Sequence, residues 1–187
     1  MNSGQSVLTI GAFVILSTMT LNVNMMLTGT GSTGLEMEAT LDAISIAQST
    51  LDEVLTKEFD NKTSAGVRAY SPNDLTVTGT FGPDGTAQVI TGLDSSSVSV
   101  FQSRTKFDDV DDYNGYARKV WNPRFGWFDV SVNVSYANED NANTTQSNRS
   151  SYKVVTVRVI HPNLVKDNNN HVIPLVVQDL AVYRRYF

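Results

Sequence analysis

Two periodicities divide the chain. As far as about residue 60, apolar positions fill whole helical turns or recur with helical spacing; beyond it they alternate. Val7 to Leu27 holds 21 residues without a charged side chain. At about 1.5 Å per residue that is roughly 30 Å of α-helix, enough to cross a bilayer core. The stretch TGTGSTG follows, Thr28 to Gly34. Each of its glycines, Gly29, Gly31 and Gly34, costs a helix about 1 kcal/mol relative to Ala, and the intervening Thr and Ser are also weak formers. This predicts a helix broken or loosened near 28–34. Met37, Leu41, Ile44, Leu51 and Leu55 then mark one stripe of an amphipathic helix, with Ala47 and Gln48 filling the gap. That helix should run out near Asp60-Asn61.

Alternation takes over in FDVSVNVSY, where Phe128, Val130, Val132, Val134 and Tyr136 share one face and Asp129, Ser131, Asn133 and Ser135 the other. It recurs in YKVVTVRVI, through Val155, Val157 and Val159, and in the closing HVIPLVVQDLAVYRRYF. The loop between the first two, Ala137 to Ser151, is polar and long for a hairpin. LTVTGTF and TAQVI flank Pro83-Asp84-Gly85 and predict a hairpin, and SVSVFQ predicts a further strand. The expected fold class is α+β: a long N-terminal helix packed on a mostly antiparallel sheet. The expected domains are a helical arm, 1–59, and a β-rich head, 60–187, whose inner face the stripe from Met37 to Leu55 covers.

Composition narrows the function. A formal net charge of −5 lacks the basic face a nucleic-acid binder needs. The chain has no Cys, which excludes thiol chemistry, disulfides and Cys-ligated metals. The segment MNSGQS ahead of the apolar run has no Lys or Arg, unlike the basic start of a secretory signal, and the run is longer than a signal's apolar core. A single-span anchor is the plain reading of such a run. Thr9, Ser17, Thr18, Thr20, Asn22, Asn24 and the small Gly11 suit instead a helix that leaves lipid to pack with others.

A long N-terminal helix, apolar then amphipathic, on an antiparallel sheet resembles the plan of type IV pilins and pseudopilins. AISIAQSTLDEVLTKEFD, Ala43 to Asp60, resembles the helix of minor pilins. FDDVDDYNGYA, Phe107 to Ala117, and the paired closing strands resemble the D-type minor component of mannose-sensitive haemagglutinin pili. The resemblance implies a non-enzymatic structural subunit of an extracellular filament, with Val7, Ile10, Phe13, Val14, Leu16, Leu21 and Met25 in the subunit interface. Its partners would be copies of itself, the inner membrane before assembly and the pilus assembly machinery. Gly4 and Gln5 would flank the processing point. The chain departs from the family pattern in a leader without basic residues and in Thr9, where the family carries Glu. The alternative is a membrane-anchored extracytoplasmic binding domain that does not polymerise.

Asp108, Asp109, Asp111, Asp112 and Asn114 place five oxygen-bearing side chains within seven residues. Hard cations such as calcium take six to eight oxygens. The spacing is not an EF-hand, and three readings stand: a solvated acidic turn whose side chains cap backbone groups, a calcium site, or a catalytic carboxylate pair. No other cofactor is expected. His161 and His171 stand ten apart across a polar loop and read as loop histidines or metal ligands. Trp121, Phe125, Trp127 and Phe128 read as core, subunit contact or sugar platform. Sequons occur at Asn61, Asn133, Asn143 and Asn148. Nucleophile-elbow, P-loop and dinucleotide fingerprints are lacking.

Overall fold

The structure, a computed structural model, describes residues 3–97, 100–142 and 144–184. The chain forms two compact units, Met1–Glu38 and Ala39–Phe187. The first helix, α1, spans Ser3–Leu55.

In the first unit none of the described residues is buried. Val7, Ile10, Phe13, Val14, Leu16, Leu21 and Met25 are each 57 to 70% exposed. The break expected near 28–34 does not occur: α1 continues through it. Interrupting a helix strands up to four N–H and four C=O groups, which outweighs three glycine penalties of about 1 kcal/mol each. The hydroxyls also turn inward on the helix rather than competing with it. Thr28 donates to Asn24 O at 2.6 Å, Thr30 to Met26 O at 2.6 Å and Thr33 to Gly29 O at 3.0 Å. Thr9 and Thr20 do the same with Gln5 O and Leu16 O, both at 2.8 Å. A hydroxyl bonded to its own helix needs no water, which suits a helix destined for an apolar environment.

In the second unit the sequence stripe holds at its far end, where Leu51 is buried and Leu55 packs against the core, and is corrected at its start. Met37, just outside the unit, and Leu41 are each 65% exposed, while Ala39, Ala43, Ala47, Thr50, Leu51 and Val54 are buried. The helix presents its small residues to the core. Small side chains allow the backbone close to the sheet, and they leave the larger apolar groups of the neighbouring face in solvent. Ala47→Leu should therefore overpack the core and cost about 1–3 kcal/mol. Leu41→Ser should stay within about 0.5 kcal/mol. Thermal melts of the two variants check the assignment, and equal effects would reverse it. α1 ends at Leu55, five residues ahead of the expected stop, because the backbone beyond it is recruited elsewhere. Glu58 N donates to Asp108 O at 3.2 Å and Val110 N to Glu58 O at 2.9 Å.

Among the described residues six strands form one sheet: β1, Asp94–Ser95; β2, Ala117–Asn122; β3, Gly126–Ala137; β4, Thr145–Gln146; β5, Tyr152–Ile160; and β6, Leu175–Val182. Their order is β1-β2-β3-β5-β6, with β4 on the far end of β3. Every pairing is antiparallel except β1 with β2. The predicted alternation holds: Phe128, Val130, Val132, Val134 and Tyr136 are buried together with Val155, Val157 and Val159. They share one cluster with Ala43, Ala47, Leu51 and Val54.

The hairpin predicted around Pro83 is absent. Its place is taken by a 3-10 turn at Thr78–Thr80 and a short helix, α2, Gly85–Gln88. The backbone that would have paired is claimed by buried side chains: Thr76 N donates to Asp60 Oδ2 at 3.0 Å, and Thr76 O accepts from the Tyr136 hydroxyl at 2.7 Å. SVSVFQ falls partly outside the described residues, and its described part is turn and coil ahead of a second short helix, α3, Ser103–Lys106. Pattern reading missed β2, whose ARKVWN does not alternate visibly, and the two-residue strands β1 and β4, which are too short to carry a pattern.

Candidate functional site

The acidic stretch lies between Phe107 and the start of β2, stitched to the residues just after α1 by the Glu58–Asp109 bridge. Its side chains do cap backbone groups, but the turn is not solvated. Asp109, Asp111 and Asp112 are 0, 3 and 1% exposed, and only Asp108 is on the surface. The structure sorts the five predicted ligands into separate roles. Asp108 Oδ1 accepts from Gln88 Nε2 at 2.8 Å. Asn114 Oδ1 accepts from Val134 N at 3.1 Å and so pins the turn to β3. Asp111 reaches the Lys153 ammonium at 2.6 Å. Asp109 and Asp112 converge with a residue the acidic motif did not include, Asp84, so that one carboxylate oxygen of each lies within 4.8 Å of the others.

Within this trio, Asp112 caps the turn. Its Oδ2 accepts from Asp108 N at 3.0 Å and from Asp109 N at 3.3 Å, and its Oδ1 from Asp84 N at 3.3 Å. Asp109 Oδ1 accepts from Asp112 N at 3.1 Å, and its Oδ2 is buried without a hydrogen-bond partner among the described residues. Burial, the Asp111 charge and the Asp111 carboxyl beside it push Asp109 up to about 9. Burial pushes Asp112 up to about 6 against the backbone N–H bonds that favour its anion. Asp84 is raised by its own partial burial and by the charges of Asp111, Asp108 and Asp60. The rise of all three marks a pocket of negative charge with too little positive charge facing it.

Two buried ion clusters lie beside it. Lys153 is wholly buried; its ammonium donates to Asp111 Oδ1, to Asp60 Oδ2 at 3.0 Å and to Phe59 O at 2.7 Å. It also lies over the rings of Phe59, Phe81 and Tyr136, at 4.5, 5.0 and 5.5 Å from their centroids. Glu53, on the last turn of α1, accepts from Arg118 Nη1 at 2.7 Å, Ser103 Oγ at 2.6 Å, Tyr113 OH at 3.0 Å and Arg104 Nε at 3.2 Å. Arg118 also donates to Thr50 Oγ1 at 2.6 Å and stacks over Phe101 at 4.2 Å. These clusters weld the end of α1 to β2, β5 and the acidic turn. A signal for both lay in the register: Lys153 continues the inward phase of Val155, Val157 and Val159, and Arg118 lies opposite the inward Val130.

The remaining candidates separate. His161 is buried, stacked on Phe128 at 4.2 Å, with Nε2 2.9 Å from Phe125 O; His171 is exposed beside Asp167. They do not share a site. Of the aromatic group, Phe128 is core, while Trp121 and Trp127 pair across β2 and β3 at 5.0 Å on the outer face, 50 and 39% exposed. Asn61, Asn133 and Asn148 are exposed, and Asn143 lies outside the described residues. Gly4 and Gln5 lie in the first turns of α1.

A long apolar N-terminal helix followed by an antiparallel-rich sheet is a pilin-like architecture, and α1 is long and apolar enough to cross a membrane. The chain matches no protein-family model, no curated protein and no solved structure.

Proposed function

We propose that this chain is a non-enzymatic structural subunit of a type IV pilus-like filament. It is held in the inner membrane before assembly and delivered by assembly machinery into an extracellular polymer of copies of itself. The observation that carries this reading is the first unit: an unbroken helix whose apolar side chains are exposed on every side. Leaving seven such side chains in water costs on the order of 10 kcal/mol, so the arm requires an apolar environment. Lipid supplies it for one molecule, and sister helices supply it in a fibre. Head-to-tail contacts whose rotation does not close a ring propagate into a helical fibre. The small Gly11 lets a second helix approach the backbone closely.

Electron microscopy of sheared surface material should show fibres containing this chain. Val14→Asp places a charge in the middle of the arm at about 2.5–3.5 kcal/mol per subunit. It should abolish fibres while the far-ultraviolet spectrum of the second unit persists. Fibres unchanged by Val14→Asp and by Leu16→Asp would refute this placement of the interface. The second reading, an anchored extracytoplasmic domain, is favoured by Thr9, whose hydroxyl is committed to Gln5 O where the family carries a carboxylate. A chain recovered only as a detergent-solubilised monomer would decide for it.

A further inference from the structure

We propose that Asp84, Asp109 and Asp112 bind a divalent cation, calcium foremost, which clamps the loop carrying Asp84 to the acidic turn that follows α3. The geometry points there from two directions. First, three carboxylates from two segments 25 and 28 residues apart bring one oxygen each within 4.8 Å of the others. Calcium holds its oxygens at roughly 2.3–2.6 Å, so ligands across one ion lie up to about 5 Å apart. Second, Asp109 is 0% exposed and its Oδ2 has no hydrogen-bond partner among the described residues, while its Oδ1 is already used by the Asp112 amide. A buried carboxylate oxygen without a partner costs several kcal/mol unless something positive meets it.

The nearby ammonium does not serve: Lys153 is spent on Asp111, Asp60 and Phe59 O. Asp84 is the most exposed member of the trio, so water can complete six to eight ligands. The ligand set thus differs from the one the motif suggested. Asp84 enters, and Asp111 and Asn114 leave, because Asp111 faces Lys153 and Asn114 faces β3. The rival occupant is a proton on Asp109 directed at Asp111.

The test uses the full chain in detergent micelles, stripped with chelator and titrated with calcium chloride at neutral pH. One ion per chain should bind. At a hundredfold excess over Kd the melting temperature should rise by about 5–10 °C relative to potassium chloride of equal ionic strength. Asp84→Asn and Asp109→Asn should each remove the rise, while Asp129→Asn, exposed on β3, should keep it. A wild-type melt indifferent to calcium, with Asp109→Asn at least as stable, assigns the site to the proton and overturns the proposal. A rise that survives Asp84→Asn and Asp109→Asn overturns it as well. If Asp109→Asn does not fold, Asp84→Asn decides alone. The readout requires no assembly, so its failure is distinct from failure of the filament reading.

Discussion

Lys153→Met should destabilise the second unit by about 3–5 kcal/mol, lowering its melting temperature by roughly 6–20 °C. The ammonium is the shared counter-ion of two carboxylates, Asp60 and Asp111, themselves 0 and 3% exposed. Methionine fills the same volume among Phe59, Phe81 and Tyr136, so the loss is electrostatic rather than a cavity. What remains is a pair of buried like charges without a counter-ion. Adding Asp60→Asn and Asp111→Asn to Lys153→Met should recover at least half of the loss, because a neutral site is much cheaper to bury than a broken ion cluster. Circular dichroism melts of the single and triple variants measure it. A single variant within about 1 kcal/mol of wild type would show that the cluster does not hold α1 to β5.

Glu53→Gln should cost about 3 kcal/mol at neutral pH and change the shape of the acid limb. The substitution leaves the Arg118 guanidinium, 2% exposed, facing a neutral amide, with Arg104 only at the solvent edge. Burial alone would raise Glu53; the bonds from Ser103, Arg118 and Tyr113 and the Arg118 charge outweigh it and hold it below 4.5. Asp60 behaves likewise: burial raises it, and the Lys153 charge and bond together with the Thr76 bonds bring it below 3.8. A carboxylate lowered on folding contributes stability that is fully present above its unfolded pKa. That stability is lost as pH falls through the folded pKa. Melting temperature should therefore drop steeply below about pH 4 in wild type. In Glu53→Gln the drop should be shallower, so the two curves converge toward acid. Parallel curves from pH 6 to pH 3 would mean that Glu53 carries no such linkage.

The readable parts of this molecule share one property: each depends on residues close together along the chain. The charge-free run from Val7 to Leu27 predicts helix whatever surrounds it, and the two alternating stretches became β3 and β5 with the inward faces that their Val and Phe residues announced. Local propensity failed where a longer-range demand was stronger. TGTGSTG stayed helical because the cost of ending a helix exceeds three glycine penalties. LTVTGTF lost its strand because Asp60 and Tyr136, 16 and 60 residues from Thr76, claimed its backbone. Met37 and Leu41 stayed outside while Ala39, Ala43 and Ala47 went inward with Leu51, because small side chains let α1 come close to the sheet.

The candidate site divides the same way. FDDVDDYNG advertised oxygen ligands, and two of its carboxylates do converge, but their third member sits in GPDG, which reads locally as a turn. Whether an Asp meets a lysine, an amide or another carboxylate depends on chain segments brought together by folding: Asp60 and Lys153 lie 93 residues apart, Glu53 and Arg118 65. By itself, then, the sequence determined an apolar helical arm, a period-two sheet and a concentration of acid. Only the tertiary structure decided which acids are neutralised and which are left facing one another, because charge pairing acts through a few ångströms of space and takes no account of distance along the chain.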